Sequence, residues 1–370
     1  MRPEIQAFCK RFLDIPAGKR YFRGGGGHFP PDLFAPIARN FVENPCHPLL
    51  FADSLHEKVW GGNALGLRYG KAAAPNARIG ESFGIFADNI IAAGECAGRT
   101  LRAAIAGFPA EMLGEAASDG DYPLLVKLLD AREWLSVQVH PDDALAAELE
   151  GQPRGKTECW YILEAEPDAQ IIYGFRNGVT AADVRGALAA GAMREILNVV
   201  PVRAGDFIPV SAGTVHAIGA GIVLYELQQK SDVTYRLYDW DRAGLDGCPR
   251  ELHIEKGLRC ADFSRNSFPR KQGQTAGGEL FSNEYFALER AEIHGELTLP
   301  PAPHERLLTV VSGSCRLHIS ERITGGTVGH CSSFSGEFTQ GTSAFIPAAA
   351  GEITLESRRG ATVLLAKRTG

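Results

Sequence analysis

The 370-residue sequence predicts a mainly β protein with two domains of barrel or sandwich type. Short runs of alternating apolar and polar residues recur between Gly- and Pro-rich turns from about residue 48, as in WLSVQVH, TECWYIL and VTYRLYDW. The pattern F-I-P-x-x-x-G also occurs twice, at 207–213 and at 345–351. A repeated strand–turn–strand unit indicates two copies of one β design.

Two helical stretches interrupt the strands. Residues 99–131 are rich in Ala and Leu and predict a helical insertion, and residues 180–198 predict a further helix. After about residue 262 the composition loosens, which is typical of an interdomain linker. We therefore expect three segments: a helical and flexible N-terminal extension at 1–46, a first barrel at 47–265 that contains the insertion, and a second barrel at 266–370.

The two copies of the repeat differ at one chemically important position. Aligning Pro209 with Pro347 sets His216 of the first copy opposite Thr354 of the second. Because His is a common metal ligand and acid–base group, we expect the first barrel to carry the chemistry.

Composition bounds the function. Apolar residues make up 45% and charged residues 22%, and a net charge of −6 gives no electrostatic reason to expect nucleic acid or an anionic membrane as a partner. No apolar run is long enough to span a membrane, and the charged N-terminal segment lacks the apolar core of a secretory signal. The eight cysteines are scattered without CxxC pairs, which indicates reduced, mostly buried thiols. We expect a cytoplasmic protein.

The segment LSVQVHPDD (135–143) predicts a strand with an unusual polar face. Val137 and Val139 lie on one side, and Ser136, Gln138 and His140 on the other. That polar side either faces water or directs two ligands into a barrel, and alternation alone leaves both open.

Four residues on or beside predicted strands form a candidate metal set. They are Gln138, His140, Glu158 and His216. The two-residue period of a strand lets all four point into one barrel interior. Two imidazoles, a carboxylate and an amide oxygen suit Zn²⁺ with a position left for water or substrate, and Mn²⁺, Fe²⁺ or Co²⁺ accept similar ligands. Taken alone, Glu158 is equally well explained as a salt-bridge partner of Lys156.

The segments around these residues carry a resemblance. LSVQVHPDD, GKTECWYIL, PVSAGTVHAI and LQQKSDVTYRLYDWDR, in this order, closely resemble type I phosphomannose isomerases (mannose-6-phosphate isomerases), particularly their shorter bacterial form. KVWGGNAL and IGESFGI resemble that family's W-G-G and G-E-x-W segments, although Phe83 stands where the family usually has Trp. FIPAAAGEITLE resembles the end of its C-terminal barrel. The resemblance covers residues 47–370, and the first 45 residues do not match the short form.

The resemblance implies a fold, a metal site and a reaction. The fold is a pair of cupin-like jelly-roll β-barrels with a helical insertion in the catalytic half and no metal ligands in the second barrel. The metal is one zinc ion per chain, or another divalent ion. The reaction interconverts mannose 6-phosphate and fructose 6-phosphate through a cis-enediol. The family's metal ligands and its active-site Arg fall on five positions here: Gln138, His140, Glu158, His216 and Arg236.

This chemistry requires a base near C1 and C2 and a cationic side chain that binds the phosphate. Arg236 and Lys156 are the cations that could bind the phosphate or polarise the enediolate. Glu226, Lys156 and Asp232 are the candidate bases, and we favour Glu226 because a carboxylate is already deprotonated at neutral pH. Ser136, Lys156 and Asp232 are also assigned to substrate binding.

Alternatives remain at this stage. Without the family resemblance, Arg236 is better explained by an ion pair with Asp239 or Asp241 on a solvated hairpin. The chain as a whole is alternatively a cupin isomerase of another sugar or sugar phosphate, a cupin dioxygenase, or a non-catalytic sugar-binding cupin. A Gln among the ligands argues against a dioxygenase, and the presence of every ligand and of Arg236 argues against a non-catalytic protein. We expect a sugar phosphate as partner, no nucleic acid or membrane, and a monomer or homodimer.

Overall fold

The computed structural model describes residues 45–74, 76–114, 121–268, 277–320, 322–323, 330–331 and 333–369. The predicted N-terminal extension therefore lies outside the described residues, except for Pro45 and Cys46. The chain divides into two compact units that are interleaved along the sequence. Unit 1 contains the described parts of Met1–Ala52, Ala87–Tyr122 and Ala276–Gly370, and unit 2 those of Asp53–Phe86 and Pro123–Thr275.

Strands dominate both units, so the prediction of a mainly β fold is confirmed. The described strands are β1 (Leu49–Phe51), β2 (Ser54–Gly62), β3 (Ile79–Ile85), β4 (Ile91–Ala93), β5 (Leu124–Ala131), β6 (Val137–Val139), β7 (Glu158–Ala165), β8 (Gln170–Phe175), β9 (Leu197–Pro201), β10 (Phe207–Val210), β11 (His216–Ile218), β12 (Ile222–Gln229), β13 (Tyr235–Tyr238), β14 (Gly278–Ser282), β15 (Phe286–Leu299), β16 (Arg306–Ile319), β17 (Arg322–Ile323), β18 (His330–Cys331), β19 (Phe334–Thr339), β20 (Ser343–Ile346) and β21 (Ile353–Arg368). The described helices are α1 (Ala64–Arg68), α2 (Leu101–Gly107), α3 (Pro109–Leu113), α4 (Asp143–Glu150), α5 (Ala181–Ala189), α6 (Met193–Ile196) and α7 (Ile254–Cys260).

Unit 1 is built on one eight-stranded antiparallel sheet. Its order is β14-β15-β21-β16-β20-β1-β4, with β19 alongside β16, and β17 and β18 form a separate ladder. Aliphatic and aromatic side chains of β15, β16, β20 and β21 form its core. A buried ion pair, Arg368 to Glu305, also receives a hydrogen bond from Tyr122 and so joins the chain's C-terminal strand to the segment before β5.

Unit 2 contains two antiparallel sheets. The six-stranded sheet has the order β10-β7-β12-β5-β2-β3, and the five-stranded sheet the order β13-β6-β11-β8-β9. Side chains of both sheets meet in one core, for example Leu129 and Trp160 of the first with Ile171 and Tyr173 of the second. The inner faces of the two sheets therefore enclose a common interior.

The internal repeat corresponds to equivalent structures in the two units. FIPV forms β10 and leads through a turn to β11, which begins at His216. The second copy ends β20 and leads through a turn to β21, which begins at Ile353, one residue before Thr354. The strand–turn–strand interpretation of the motif is thus correct.

The prediction of a helix over 99–131 is wrong in its last part. Helices α2 and α3 occupy residues 101–113, but LLVKLLDA forms strand β5. Strand β5 is central, lies between β12 and β3, and is buried along its whole length. A strand covered on both faces has apolar residues on both, so its sequence loses the alternation that identifies a strand.

The cysteine prediction also needs a correction. Cys96, Cys159, Cys248, Cys260 and Cys315 are free thiols, and all but Cys248 are buried. Cys46 is disulfide-bonded, so the prediction of reduced thiols is wrong there. Sequence spacing does not show which cysteines approach each other in the fold. None of the described helices has the length and hydropathy of a membrane span.

Candidate metal and substrate site

The polar face of β6 points into unit 2 and not toward water. Val137 and Val139 pack on the outer side of the five-stranded sheet, in a cluster with Val184 of α5 and Leu258 of α7. The alternate residues of β6 must then face the six-stranded sheet. Ser136 and His140 are accordingly buried, with 2% and 1% of their surface exposed.

Register brings three of the predicted site residues into one row. Gln138 of β6 pairs with Arg236 of β13 on one side and with His216 of β11 on the other. Directly paired residues of antiparallel strands project from the same face of a sheet. Within this row, the side chains of Gln138 and His216 are in contact, with the Gln138 amide nitrogen 3.2 Å from His216 Nε2.

The facing sheet contributes Glu158 at the start of β7. This residue is completely buried, and its carboxylate lies between the two histidines: Oε2 is 3.6 Å from His140 Nε2, and Oε1 is 3.4 Å from His216 Nε2. The imidazole rings of His140 and His216 are 4.9 Å apart between centroids. Three potential ligand atoms from three strands or strand ends therefore converge, as the sequence predicts for these residues.

Backbone carbonyls fix the orientation of both imidazoles. His140 Nδ1 donates to the Val233 carbonyl and His216 Nδ1 to the Thr214 carbonyl, each at 2.9 Å. In a neutral imidazole this leaves Nε2 without a proton and available as a ligand. Burial, reinforced by the charge of Lys156, lowers the pKa of His140 well below its ordinary value, and burial lowers the pKa of His216 to about 4. Both rings are therefore neutral at neutral pH.

Glu158 lacks the hydrogen bonds that a buried carboxylate requires. Neither of its oxygens accepts one of regular geometry among the described residues, and its nearest cation is Lys156, with Nζ 2.7 Å from Oε2. The same Nζ lies 3.1 Å from His140 Nε2. A buried carboxylate beside two unprotonated imidazole nitrogens is a donor set that fits a divalent cation.

Glu226 takes part in a buried charge network that the sequence analysis missed. Its Oε2 accepts a hydrogen bond from Trp160 Nε1 at 3.1 Å, and its Oε1 lies 3.3 Å from Lys127 Nζ. Lys127 also pairs with Glu81 at 3.2 Å, and Lys58 pairs with Glu81 at 2.8 Å. The available signal was a Lys inside the apolar run LLVKLLD, since a buried Lys requires a carboxylate partner.

The pKa values in this network follow from burial and pairing. Burial, with the charge of Glu158, raises the pKa of Glu226. Burial alone would also raise the pKa of Glu81, but Lys127 and Lys58 hold it to about 2. Burial alone would lower the pKa of Lys127, but the negative charges of Glu81 and Glu226 have the larger combined effect and raise it.

Among the described residues, Arg236 forms an ion pair with neither Asp239 nor Asp241, the partners that an ordinary surface hairpin would provide. Asp239 pairs instead with Arg242 and Arg250, and Asp241 accepts a hydrogen bond from Tyr238. The Arg236 guanidinium donates to the Glu251 carbonyl at 2.8 Å, and its buried Nε has no hydrogen-bond partner among the described residues. Burial, together with repulsion by Arg250, lowers the pKa of Arg236.

The remaining predicted residues differ in their surroundings. Ser136 Oγ donates to Gln138 Oε1 at 3.3 Å, so it lies on the inner face near the row. Asp232 is exposed in the loop before β13, next to the carbonyl of Val233 that orients His140.

The fold and this donor set define a class, the cupin-type β proteins with a candidate metal centre between facing sheets. The solved structure of the mannose 6-phosphate isomerase from Bacillus subtilis matches with a TM-score of 0.75 at 30% identity, covering 86% of this chain and 99% of that chain. A putative mannosephosphate isomerase from Archaeoglobus fulgidus shares the fold, with a TM-score of 0.69 at 20% identity over 89% of this chain and 100% of that chain.

Sequence comparison gives the family. The sequence model of "Phosphomannose isomerase type I, catalytic domain" matches residues 50–158. The mannose-6-phosphate isomerase of Streptococcus mutans is 37% identical over 280 residues, which is 74% of this chain and 87% of that protein. Mannose-6-phosphate isomerase ManA of Bacillus subtilis is 35% identical over 318 residues, 84% and 96% of the respective chains. The chain belongs to the type I phosphomannose isomerases, a metal-dependent family, and the predicted family is confirmed.

Proposed function

We propose that the protein is a metal-dependent aldose–ketose isomerase that interconverts mannose 6-phosphate and fructose 6-phosphate through a cis-enediol. The observation that carries the proposal is the convergence of His140, Glu158 and His216 between two sheets, in a chain of this family. Their donor atoms lie within 4.8 Å of one another.

Gln138, His140, Glu158 and His216 are the proposed ligands of one divalent ion, with zinc as the first candidate. The two carbonyl-oriented imidazoles and the Glu158 carboxylate without a regular hydrogen bond support the set, and Gln138 is kept as a ligand because it lies in the same row as His216. Nitrogen and oxygen donors of this kind suit zinc and leave a position for substrate. When bound, the metal acts as a Lewis acid for the sugar oxygens O1 and O2.

Arg236 is the proposed contact for negative charge on the substrate. Its position in the row with Gln138 directs it to the inner face, and Arg242 and Arg250 share the single carboxylate of Asp239 nearby. This local excess of positive charge favours a phosphate or an enediolate, and a guanidinium binds phosphate oxygens in a bidentate manner. Ser136 and Asp232 are kept as candidate substrate hydrogen-bonding groups.

Lys156 and Glu226 are the two candidates for proton transfer between C1 and C2. Both oxygens of Glu226 are already engaged, one by Trp160 and one by Lys127. The ammonium of Lys156 lies beside the ligand atoms of His140 and Glu158. A proton-transfer group must be within hydrogen-bonding reach of the reacting carbons and oxygens. These contacts favour Lys156 over Glu226, in contrast to the preference from sequence.

The substrate class, a sugar phosphate, follows from the family. A monomer or homodimer and a cytoplasmic location remain predictions.

A coupled assay tests the proposed function. Purified protein is given mannose 6-phosphate, and fructose 6-phosphate is detected through phosphoglucose isomerase and glucose-6-phosphate dehydrogenase. Glucose 6-phosphate and unphosphorylated mannose serve as alternative substrates, each with and without a chelator. We expect turnover of mannose 6-phosphate that is lost with chelator and restored by Zn²⁺. Metal-loaded protein without turnover of any of these sugars would refute the proposal.

A further inference from the structure

The backbone around Lys156 is held by two side chains that lie outside the metal site. Lys156 belongs to the loop 151–157, which connects helix α4 to strand β7. Asp143, the first residue of α4, accepts a hydrogen bond from the Gly155 amide at 2.7 Å. Gln229, the last residue of β12, accepts one from the Thr157 amide at 2.9 Å. Lys156 is thus flanked on both sides by side-chain acceptors.

The two acceptors are also bonded to each other. Gln229 Nε2 donates to Asp143 Oδ1 at 3.0 Å, so this one oxygen accepts hydrogen bonds from both the Gly155 amide and the Gln229 side chain. The backbone of Gln229 also donates to the Thr157 carbonyl at 3.0 Å. Gln229 is only 3% exposed, so its bond with the Thr157 amide is shielded from water, whereas Asp143 is half-buried.

The far side of the loop lies against the segment that follows the ligand His140. The Lys156 amide donates to the Pro141 carbonyl at 2.9 Å. A Cβ atom on Gly155 would overlap the backbone of Pro141 and Asp142, so only glycine allows this approach. Asp142 itself has another role, because its side chain caps α4 by accepting from Leu145 at 2.8 Å.

From these contacts we infer that Gln229 and Asp143 form a positioning clamp for Lys156. Consecutive amides at 155, 156 and 157 are each bonded to a different acceptor, and the clamp supplies the outer two. With its backbone fixed at three points, Lys156 extends its ammonium to the ligand atoms of His140 and Glu158. Neither Gln229 nor Asp143 has a described contact with those ligand atoms, so they act through Lys156.

The inference rests on the proposed function, in which Lys156 transfers the proton, and it predicts a specific kinetic signature. Displacement of Lys156 should reduce kcat, because a shift of about 1 Å in a catalytic group costs up to about 100-fold. It should leave KM almost unchanged, because Arg236 and the metal bind the substrate. A merely structural role would instead reduce the amount of folded, metal-loaded protein at constant kcat per active site.

The test compares four variants in the coupled assay. Gln229→Met and Asp143→Leu remove the clamp, and we expect kcat to fall about 10- to 100-fold, with KM within about 3-fold and stoichiometric metal. Asp143→Asn should restore at least about a third of wild-type kcat, because its amide oxygen accepts the same two hydrogen bonds. Gln152→Met is the matched control: the same substitution in the same loop at an exposed side chain. If Gln229→Met does not fold, the comparison of Asp143→Leu with Asp143→Asn decides the question.

Amide hydrogen exchange of residues 153–160 gives a readout that does not require isomerase activity. We expect faster exchange at Gly155 and Thr157 in Gln229→Met than in Gln152→Met. Wild-type exchange or wild-type kcat in Gln229→Met would overturn the clamp, as would equal losses in Asp143→Leu and Asp143→Asn. If exchange is faster in Gln229→Met but the wild-type protein does not turn over mannose 6-phosphate, the clamp is supported and the proposed function is refuted.

Discussion

Replacing Lys127 by Met tests whether the buried charge network of unit 2 is compensated as its geometry indicates. The Lys127 side chain is 9% exposed and lies between two carboxylates, Glu226 with 4% and Glu81 with 13% exposure. Removing the ammonium leaves Glu226 without a cation at hydrogen-bonding distance among the described residues. Glu81 keeps Lys58, which is 36% exposed and therefore a weaker partner.

The expected loss of stability is about 3 kcal/mol at neutral pH. Breaking a buried ion pair by removing one partner costs about 3–5 kcal/mol. The pKa of Glu81 gives a second figure: the difference between 4.5 and about 2 corresponds to about 3–4 kcal/mol at about 1.4 kcal/mol per pKa unit. Burial acts against that lowering, and Lys127 is the larger of the two cationic contributions that produce it.

Tryptophan fluorescence during urea unfolding measures the effect in the relevant unit. All four tryptophans, Trp60, Trp134, Trp160 and Trp240, lie in unit 2. Lys256→Met is the control, because Lys256 pairs with Glu150 at the surface with 46% of its side chain exposed, and such pairs contribute less than about 1 kcal/mol. A Lys127→Met protein within about 1 kcal/mol of wild type at pH 7 would refute the argument.

The pH dependence has a definite sign. The folded pKa of Glu81 is lower than its ordinary value, so its contribution is fully present above about pH 4.5 and is lost as the pH falls toward about 2. The difference between wild type and Lys127→Met should therefore narrow below pH 4.5. A difference that widens on acidification would contradict the assignment.

Three further predictions concern the metal, the substrate and unit 1. His140→Ala or His216→Ala should abolish isomerase activity and the stoichiometric binding of metal, which mass spectrometry measures. Full metal content in either variant would disprove the ligand assignment. Arg236→Ala should keep the metal and lose turnover, so near-normal kinetics would disprove its role. Arg368→Met breaks the buried pair with Glu305 in unit 1, which should cost about 3–5 kcal/mol and shift the circular-dichroism transition more than the tryptophan transition. Equal shifts would show that the two units unfold as one.

The residue types of the candidate site are predictable from sequence, but their juxtaposition is not. Alternation in LSVQVHPDD shows that Ser136, Gln138 and His140 share a face. It does not show that Gln138 pairs with His216, which is 78 positions away, or with Arg236 on the other side. Register between distant strands depends on tertiary packing, so only the fold reveals the row.

Two features of strand β5 escape prediction from sequence because the strand is buried on both faces. Strand β5 was predicted as helix because apolar residues occupy both of its faces. The same strand contains Lys127, whose pairing with Glu81 and Glu226 was missed. A charge within a continuous apolar run indicates a compensated interior ion, and the compensating carboxylates come from other strands. Such partners are not visible in a local window of sequence.

The hydrogen bonding of buried charged groups bears on the proposed site in the interior of unit 2. Most inward polar groups of unit 2 have partners: Ser136 bonds to Gln138, the imidazoles bond to carbonyls, and Glu226 bonds to Trp160. Among the described residues of unit 2, buried polar atoms of Ser82, Glu158, Thr214, Gln228 and Arg236 lack a hydrogen bond of regular geometry, and of these residues Glu158 and Arg236 are the charged ones. An unsatisfied buried charged group is costly, and a bound ligand is one way to complete it. Glu158 carries negative and Arg236 positive charge, which agrees with the proposed binding of a metal cation and an anionic sugar phosphate.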